Sequence, residues 1–287
     1  MSLEALEGRI YGPISVEIGA EKVAGFVNAT GDDADRWAHT APPGFAGALL
    51  FRIAPLFIHS PEVGEHTRVL VHSDQRFTWH RALNVGLATT ITGEVTRVRV
   101  RGDTNFVSFE VGVTSAGEPV VDSVSTFLMG TAAAADPGPD EGEPPVEAGA
   151  LTPLRSGETT LQPGVDLPTI ERSASRADLV RYAGASGDFN PIHFDHDAAR
   201  AAGLDGIVVH GLCMMSWLCQ LAAFGTRDAH PIANMKVRFR SALRPGTPAV
   251  LSGTCADITA GLAGVNLKLS TRDADLVTAT AAIRTGA

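Results

Sequence analysis

A chain that repeats itself is tightly constrained, because both copies must suit nearly the same frame. Phe26-Val27-Asn28-Ala29-Thr30-Gly31-Asp32 is answered by Tyr182-Ala183-Gly184-Ala185-Ser186-Gly187-Asp188, which sets the two aspartates 156 residues apart (188 − 32). A mostly apolar stretch follows in each copy, Phe45 to Ile58 and Ile207 to Phe224. Arg81-Ala82-Leu83-Asn84-Val85-Gly86 then corresponds to Ser241-Ala242-Leu243-Arg244-Pro245-Gly246, an offset of 160 (246 − 86). Nearly equal offsets at distant anchors imply duplication with a small insertion. Between the copies, Asp136-Pro137-Gly138-Pro139-Asp140-Glu141-Gly142-Glu143-Pro144-Pro145 reads as an extended, mobile linker, because proline and like charges oppose helix and sheet. The expected division is a first domain over 1–131, a linker over 132–157 and a second domain over 158–287.

Periodicity gives the fold class. In Ile207 to Phe224 only His210, Ser216 and Gln220 are polar, so a helix there is apolar almost all round and must be buried. Strand-like runs follow: Lys236 to Arg240, Ala249 to Thr254, Val265 to Ser270 and Leu276 to Ile283. The first copy has matching runs at Arg76 to His80, Thr89 to Val100, Asn105 to Val113 and Pro119 to Leu128, with hairpin turns at Gly117-Glu118 and Arg272-Asp273. A buried helix followed by an antiparallel sheet suits a sheet wrapped around that helix. The expected class is α+β, a double hot-dog of two tandem units.

The formal net charge of −9 argues against nucleic acid as a partner. No run of about 18 apolar residues is present to span a membrane. Met1 to Gly8 carries Glu4 and Glu7 and lacks a basic-then-apolar signal pattern, so a cytoplasmic location is expected. Cys213, Cys219 and Cys255 are three in number and lack metal-type spacing, and they read as reduced, buried thiols.

The chemistry concentrates in Gly187-Asp188-Phe189-Asn190-Pro191-Ile192-His193. Pro191 pushes Asn190 towards extended backbone, so Asp188 and His193 sit on a turn where their side chains converge. Adding water to a double bond needs such a pair, one group to take a proton and another to return one. Asn190 can hold the water or brace a neighbour. Gly211 opens the buried helix, where free N–H groups and the helix dipole can hold a thioester oxygen that becomes enolate-like. Arg238 and Arg240 are the candidate phosphate contacts, with His210 a further lining residue. The group His193, Asp195, His196 and Asp197 reads as a helix cap and a solvated histidine, with no metal expected.

The run Tyr182-x-x-x-Ser186-Gly187-Asp188-x-Asn190-Pro191-Ile192-His193, followed by Ala198-x-x-Ala201-x-Gly203 and Val209-His210-Gly211-Leu212, resembles the MaoC-like, R-specific enoyl-CoA hydratases. The resemblance covers the second half directly, and the first resembles the degenerate amino-terminal domain of two-domain members. It implies reversible syn hydration of a trans-2-enoyl thioester to an R-3-hydroxyacyl thioester. In that frame Asp188 and His193 match the catalytic pair, Asn190 and Ser186 supporting positions, and Gly211 the backbone donor. No separate cofactor is implied; coenzyme A or the phosphopantetheine of an acyl carrier protein belongs to the substrate. A homodimer of the double unit stays open beside a monomer.

The first copy departs from the pattern. Ala34, Asp35 and Trp37 stand where Asn190, Pro191 and His193 stand in the second, so Asp32 lacks an imidazole partner. That half reads as chemically silent, either space for the acyl chain or only a structural partner. Two rivals share the fold: an acyl-CoA thioesterase, which would release free thiol, and a non-catalytic acyl-thioester-binding protein, which would leave the enoyl absorbance unchanged.

Overall fold

Strand alternation builds one sheet from both copies. The computed structural model describes residues 2–131, 134–145, 151–155, 157 and 161–285. The first half runs β1 (Ile10–Glu17), α1 (Ala20–Thr30), α2 (Ala46–Leu50), α3 (Ala54–Ile58), α4 (Pro61–His66), β2 (Val69–Trp79), β3 (Ala88–Arg101), β4 (Thr104–Ser115) and β5 (Glu118–Gly130). The second runs β6 (Ile170–Arg172), α5 (Arg176–Ser186), α6 (His196–Ala201), α7 (Gly211–Ala222), β7 (Ile232–Phe239), β8 (Ala249–Thr259), β9 (Leu262–Ser270) and β10 (Asp275–Arg284). The strands form a ten-stranded antiparallel sheet in the order β1-β3-β4-β5-β2-β7-β10-β9-β8-β6. This order reads alike from both edges once the copies are matched strand for strand. The seam is β2 on β7, with Asp74 opposite Arg238 and Phe77 opposite Met235. The chain is a double hot-dog, as its periodicity implies. No helix among the described residues is long and apolar enough to cross a membrane.

The two central helices differ. Leu212 to Ala222 of α7 are all buried, and the helix packs on β7, β8, β9 and β10. Its first-half counterpart is broken into α2 and α3. Pro55, near the start of α3, lacks the N–H that a helix continuing from Leu50 would need. The apolar run predicts burial here but not the break. The eight expected strands all form, most of them longer than their β-branched cores. The hairpin expected at Gly117-Glu118 turns one residue earlier, at Ala116 and Gly117, whose φ angles of 50° and 84° suit a tight turn. Edge strands β1 and β6 and helices α1 and α5 escape the periodicity reading because their apolar patterns are short or weak.

Of the linker segment, residues 132–133, 146–150 and 156 lie outside the described residues. The described part carries neither helix nor strand, yet it is pinned to the second half. Asp140 pairs with His196 at 2.9 Å, Glu141 with Arg244 at 2.5 Å and Glu143 with Arg176 at 2.5 Å, while Arg200 donates to the Gly138 carbonyl at 2.6 Å. His196, expected to be solvated, is therefore buried at 6% exposure under this acidic strap.

Arg172 ties the halves together. It donates to the Gly31 carbonyl (2.9 Å), to Gln220 Oε1 (2.7 Å) and to the Thr152 carbonyl. Replacing this buried donor leaves Gln220 Oε1 and the Thr152 carbonyl without it, at about 1–3 kcal/mol each, and removes one of two donors to the Gly31 carbonyl. Arg172→Ala is expected to lower stability by about 3 kcal/mol or more in urea unfolding, on the same scale. A loss under about 0.5 kcal/mol would show that the junction does not depend on this residue.

Candidate active site

The site begins at the end of a helix. Ser175 caps α5 through a capping box with Asp178: Ser175 Oγ accepts from the Asp178 N–H, and Asp178 Oδ2 accepts from the Ser175 N–H. Gly187 ends the helix at φ 84°, a left-handed turn that suits glycine. The turn delivers Asp188 next to it, while Ser186 Oγ donates to the Tyr182 carbonyl at 2.7 Å and accepts from the Asp188 N–H at 3.2 Å. Asn190, extended before Pro191, spends its side-chain oxygen on the Ile192 N–H, and its own N–H donates to Asp188 Oδ1 at 3.3 Å. A single 3₁₀ turn over Pro191–His193 then brings His193 round.

The structure brings Asp188, His193 and His210 together, with one polar side-chain atom from each lying within 4.8 Å of the others. The His193 and His210 rings stack at 3.7 Å with 22° between their planes, and Tyr182 packs on His210 at 4.8 Å. His193 Nδ1 lies 2.8 Å from the Val208 carbonyl. A carbonyl only accepts, so Nδ1 carries the proton and the neutral ring keeps a bare Nε2. His210 Nε2 likewise donates to the Asp188 carbonyl at 3.2 Å. Stacked rings direct their in-plane lone pairs side by side instead of towards one centre, a poor arrangement for tetrahedral coordination.

Burial sets the charges. Asp188 is 8% exposed and His193 6%. Desolvation pushes the Asp188 carboxyl up to about 7, opposed only by the Asn190 N–H. The same cause brings His193 down to about 4 against the pull of the Val208 carbonyl, and holds His210 well below the usual range. Both imidazoles are thus neutral at pH 7, while the carboxyl is poised between its two forms.

Gly211 is the first residue of α7. Unlike Ile207 to His210 before it and Leu212 to Ala222 after it, it retains partial exposure. Its N–H has no backbone acceptor among the described residues, as befits the first turn of a helix. The Phe239 ring comes within 3.2 Å of where a side chain at Gly211 would begin. Alternation along β7 therefore sends Arg238 and Arg240 to the opposite face. There Arg238 donates to Asp74 at 3.0 Å and Arg240 to Thr278 Oγ1 at 3.1 Å, beside a groove of about 790 Å³. These two arginines are not brought to the Asp188 cluster, and the even spacing that made them prominent is what carries them away. The Val208 carbonyl and the Tyr182 ring are contacts that residue spacing does not reveal, although Tyr182 lies within the motif.

The first copy lacks the imidazole, and a cavity of about 280 Å³ borders its Gly31 and Asp32. Trp37 occupies the histidine position at 2% exposure, and its Nε1–H donates to Asp32 Oδ1 at 3.0 Å. Burial still pushes Asp32 up to about 6.

A wrapped helix in each half and one buried carboxylate–imidazole cluster define a double hot-dog chain of the dehydratase type. Residues 158–272 match the MaoC like domain, and residues 5–123 match the FAS1-like, dehydratase domain region. The chain thus carries a MaoC-like dehydratase domain in its second half and a FAS1-like dehydratase region in its first. A solved MaoC-like dehydratase superposes with a TM-score of 0.84 at 21% identity, over 99% of this chain and 100% of that one. A UPF0336 protein of Leifsonia xyli is 32% identical over 118 residues, 41% of this chain and 72% of its own length. The mitochondrial 3-hydroxyacyl-[acyl-carrier-protein] dehydratase of Arabidopsis thaliana is 39% identical over 61 residues, 21% of this chain and 36% of that protein.

The raised Asp188 pKa has a sign that can be checked. The folded form holds this proton more tightly than the unfolded chain, so stability is lost as pH rises from the ordinary carboxyl value of about 4 to about 7 and stays lower above that. Asp188→Asn is expected to melt several degrees above wild type at pH 8, with the gap closing by pH 4. An equal gap at both pH values would show that the carboxyl is not held against ionisation.

Proposed function

We propose that this chain is a hydro-lyase that reversibly adds water to a trans-2-enoyl thioester of coenzyme A or acyl carrier protein, giving the (3R)-hydroxyacyl thioester. The supporting observation is the pairing of a bare imidazole nitrogen with a protonatable carboxyl on one loop, beside the Gly211 N–H. A water held between Asp188 and His193 gives its proton to Nε2 as its oxygen attacks C3. Charge moves onto the thioester oxygen, where the Gly211 N–H and the α7 dipole stabilise it; such a donor contributes about 3–4 kcal/mol. The Asp188 carboxyl delivers its proton to C2, leaving imidazolium and carboxylate. Transfer of one proton from His193 to Asp188 restores the starting state, so no metal or separate cofactor enters the balance. The Arabidopsis relative, named for the reverse reaction on an acyl-carrier substrate, agrees with this chemistry.

Asp188→Asn and His193→Ala are each expected to slow crotonyl-CoA hydration by at least about 10²-fold while keeping the fold, since positioned acid–base groups supply about 10²–10⁴. Asp32→Asn should change the rate little. Full activity in either second-half variant would defeat the mechanism.

The pH profile carries a second test. Hydration needs His193 unprotonated and Asp188 protonated, so kcat/KM should fall below pH of about 4 and again above about 7. A rate that climbs steadily through pH 7 would reverse the roles, making Asp188 the base.

A further inference from the structure

We propose that the linker is a positioning element of the reaction, in which Asp140, Glu141 and Glu143 clamp the three segments that aim Asp188 and His193. This rests on the hydro-lyase reading and adds to it residues that touch no substrate.

The strap at 138–143 lies between the two matched regions, which cover residues 5–123 and 158–272, so neither match gives it a role. Its three carboxylates reach three different parts of the second half. Glu143 pairs with Arg176 on the first turn of α5, the helix whose far end delivers Gly187 and Asp188. Asp140 accepts from His196 on α6, three residues beyond His193, and its other oxygen lies 3.9 Å from Arg200 Nε. Glu141 pairs with Arg244, the neighbour of Leu243. These partners are deeply set. His196 is buried, and the three arginine side chains are only 18–28% exposed.

The contacts converge on one stretch of backbone. A side chain at Gly206 would begin 3.2 Å from His196 Nδ1 and 3.6 Å from Arg244 Nη2. Arg200, which donates to the Gly138 carbonyl of the strap, also donates to the Asp205 carbonyl at 3.5 Å. Two residues beyond Gly206, the Val208 carbonyl accepts from His193 Nδ1, and the Val209 N–H donates to the Leu243 carbonyl. Residues 206–209 are thus bounded by His196 and Arg244 at one end and by Leu243 at the other. The linker packs on the end of α6 as well, where a side chain at Gly203 would begin 3.1 Å from the Ala135 carbonyl.

A passive tether between domains needs none of this. An exposed ion pair contributes little by itself. Here three carboxylates within four residues each meet a partner, and all the partners border the same loop. Asp140 is also set in place by its own chain. The Gly142 N–H donates to its Oδ1 at 2.8 Å, an Asx turn that, with His196, holds the carboxyl below its usual range. Placement on this scale matters to rate, because a shift of about 1 Å in a reacting group can cost about 10²-fold.

Crotonyl-CoA hydration by Asp140→Asn/Glu141→Gln/Glu143→Gln tests the clamp. Glu65→Gln/Glu118→Gln/Asp273→Asn serves as the control for net charge, since these three acids are exposed and form no ion pair among the described residues. All six substitutions keep side-chain size, and circular dichroism checks that both variants are folded at the assay temperature. The strap variant should lose about tenfold or more in kcat with KM changed less than about twofold, while the control matches wild type. Imidazole ¹⁵N NMR supplies a readout that needs no turnover. His193 should show the Nδ1–H tautomer in wild type and a mixture of tautomers in the strap variant. An unshifted tautomer or a wild-type kcat in the strap variant overturns the proposal, as does an equal loss in the control. A shifted tautomer in a protein that hydrates no enoyl thioester keeps the clamp and sinks the hydro-lyase reading.

Discussion

The 2.8 Å hydrogen bond from His193 Nδ1–H to the Val208 carbonyl decides what the rest of the site can do. It fixes the tautomer, so the lone pair lies on Nε2, and burial keeps it free of a proton at neutral pH. Val208 is itself held: its N–H donates to the Ile192 carbonyl, and the next N–H, of Val209, donates to the Leu243 carbonyl. The segment leading into α7 therefore orients the imidazole and ends at Gly211, whose free N–H opens the helix. One stretch of backbone thus positions both the imidazole and the N–H that opens the helix.

Duplication lets the two halves diverge without losing the sheet. The first half keeps the left-handed glycine and its aspartate, but Trp37 fills the histidine position and Leu151 covers the turn. Its central helix is broken at Pro55, while α7 is continuous and buried. The first half thereby serves as scaffold and, through Val16 and Leu49, as one wall of a cavity of about 420 Å³ beside the second-half loop. A buried acid raised to about 6 persists there, satisfied by an indole donor. The acidic strap over His196 and Arg244 ties the linker to the same region from outside.

Much of this was legible in the residues. Matching offsets implied two copies, alternation implied eight strands, and the Gly187 to His193 run marked the turn where the cluster forms. What escaped had physical reasons. Backbone carbonyls such as that of Val208 leave no mark on side-chain identity. Alternation already set Arg238 and Arg240 on the face opposite Phe239, but spacing alone does not tell which of the two faces meets the Asp188 cluster. The linker looked mobile because proline opposes regular structure, which says nothing of the ion pairs its carboxylates make.

Because Asp188 and His193 hang from one loop, the proposed base and acid would act on the same side of a bound enoyl group. The stereochemical course of crotonyl-CoA hydration in D2O tests this most directly. The account predicts a 3R-hydroxyacyl product with deuterium at C2 added on the same face as the hydroxyl. Addition on opposite faces would contradict an acid–base pair drawn from Asp188 and His193.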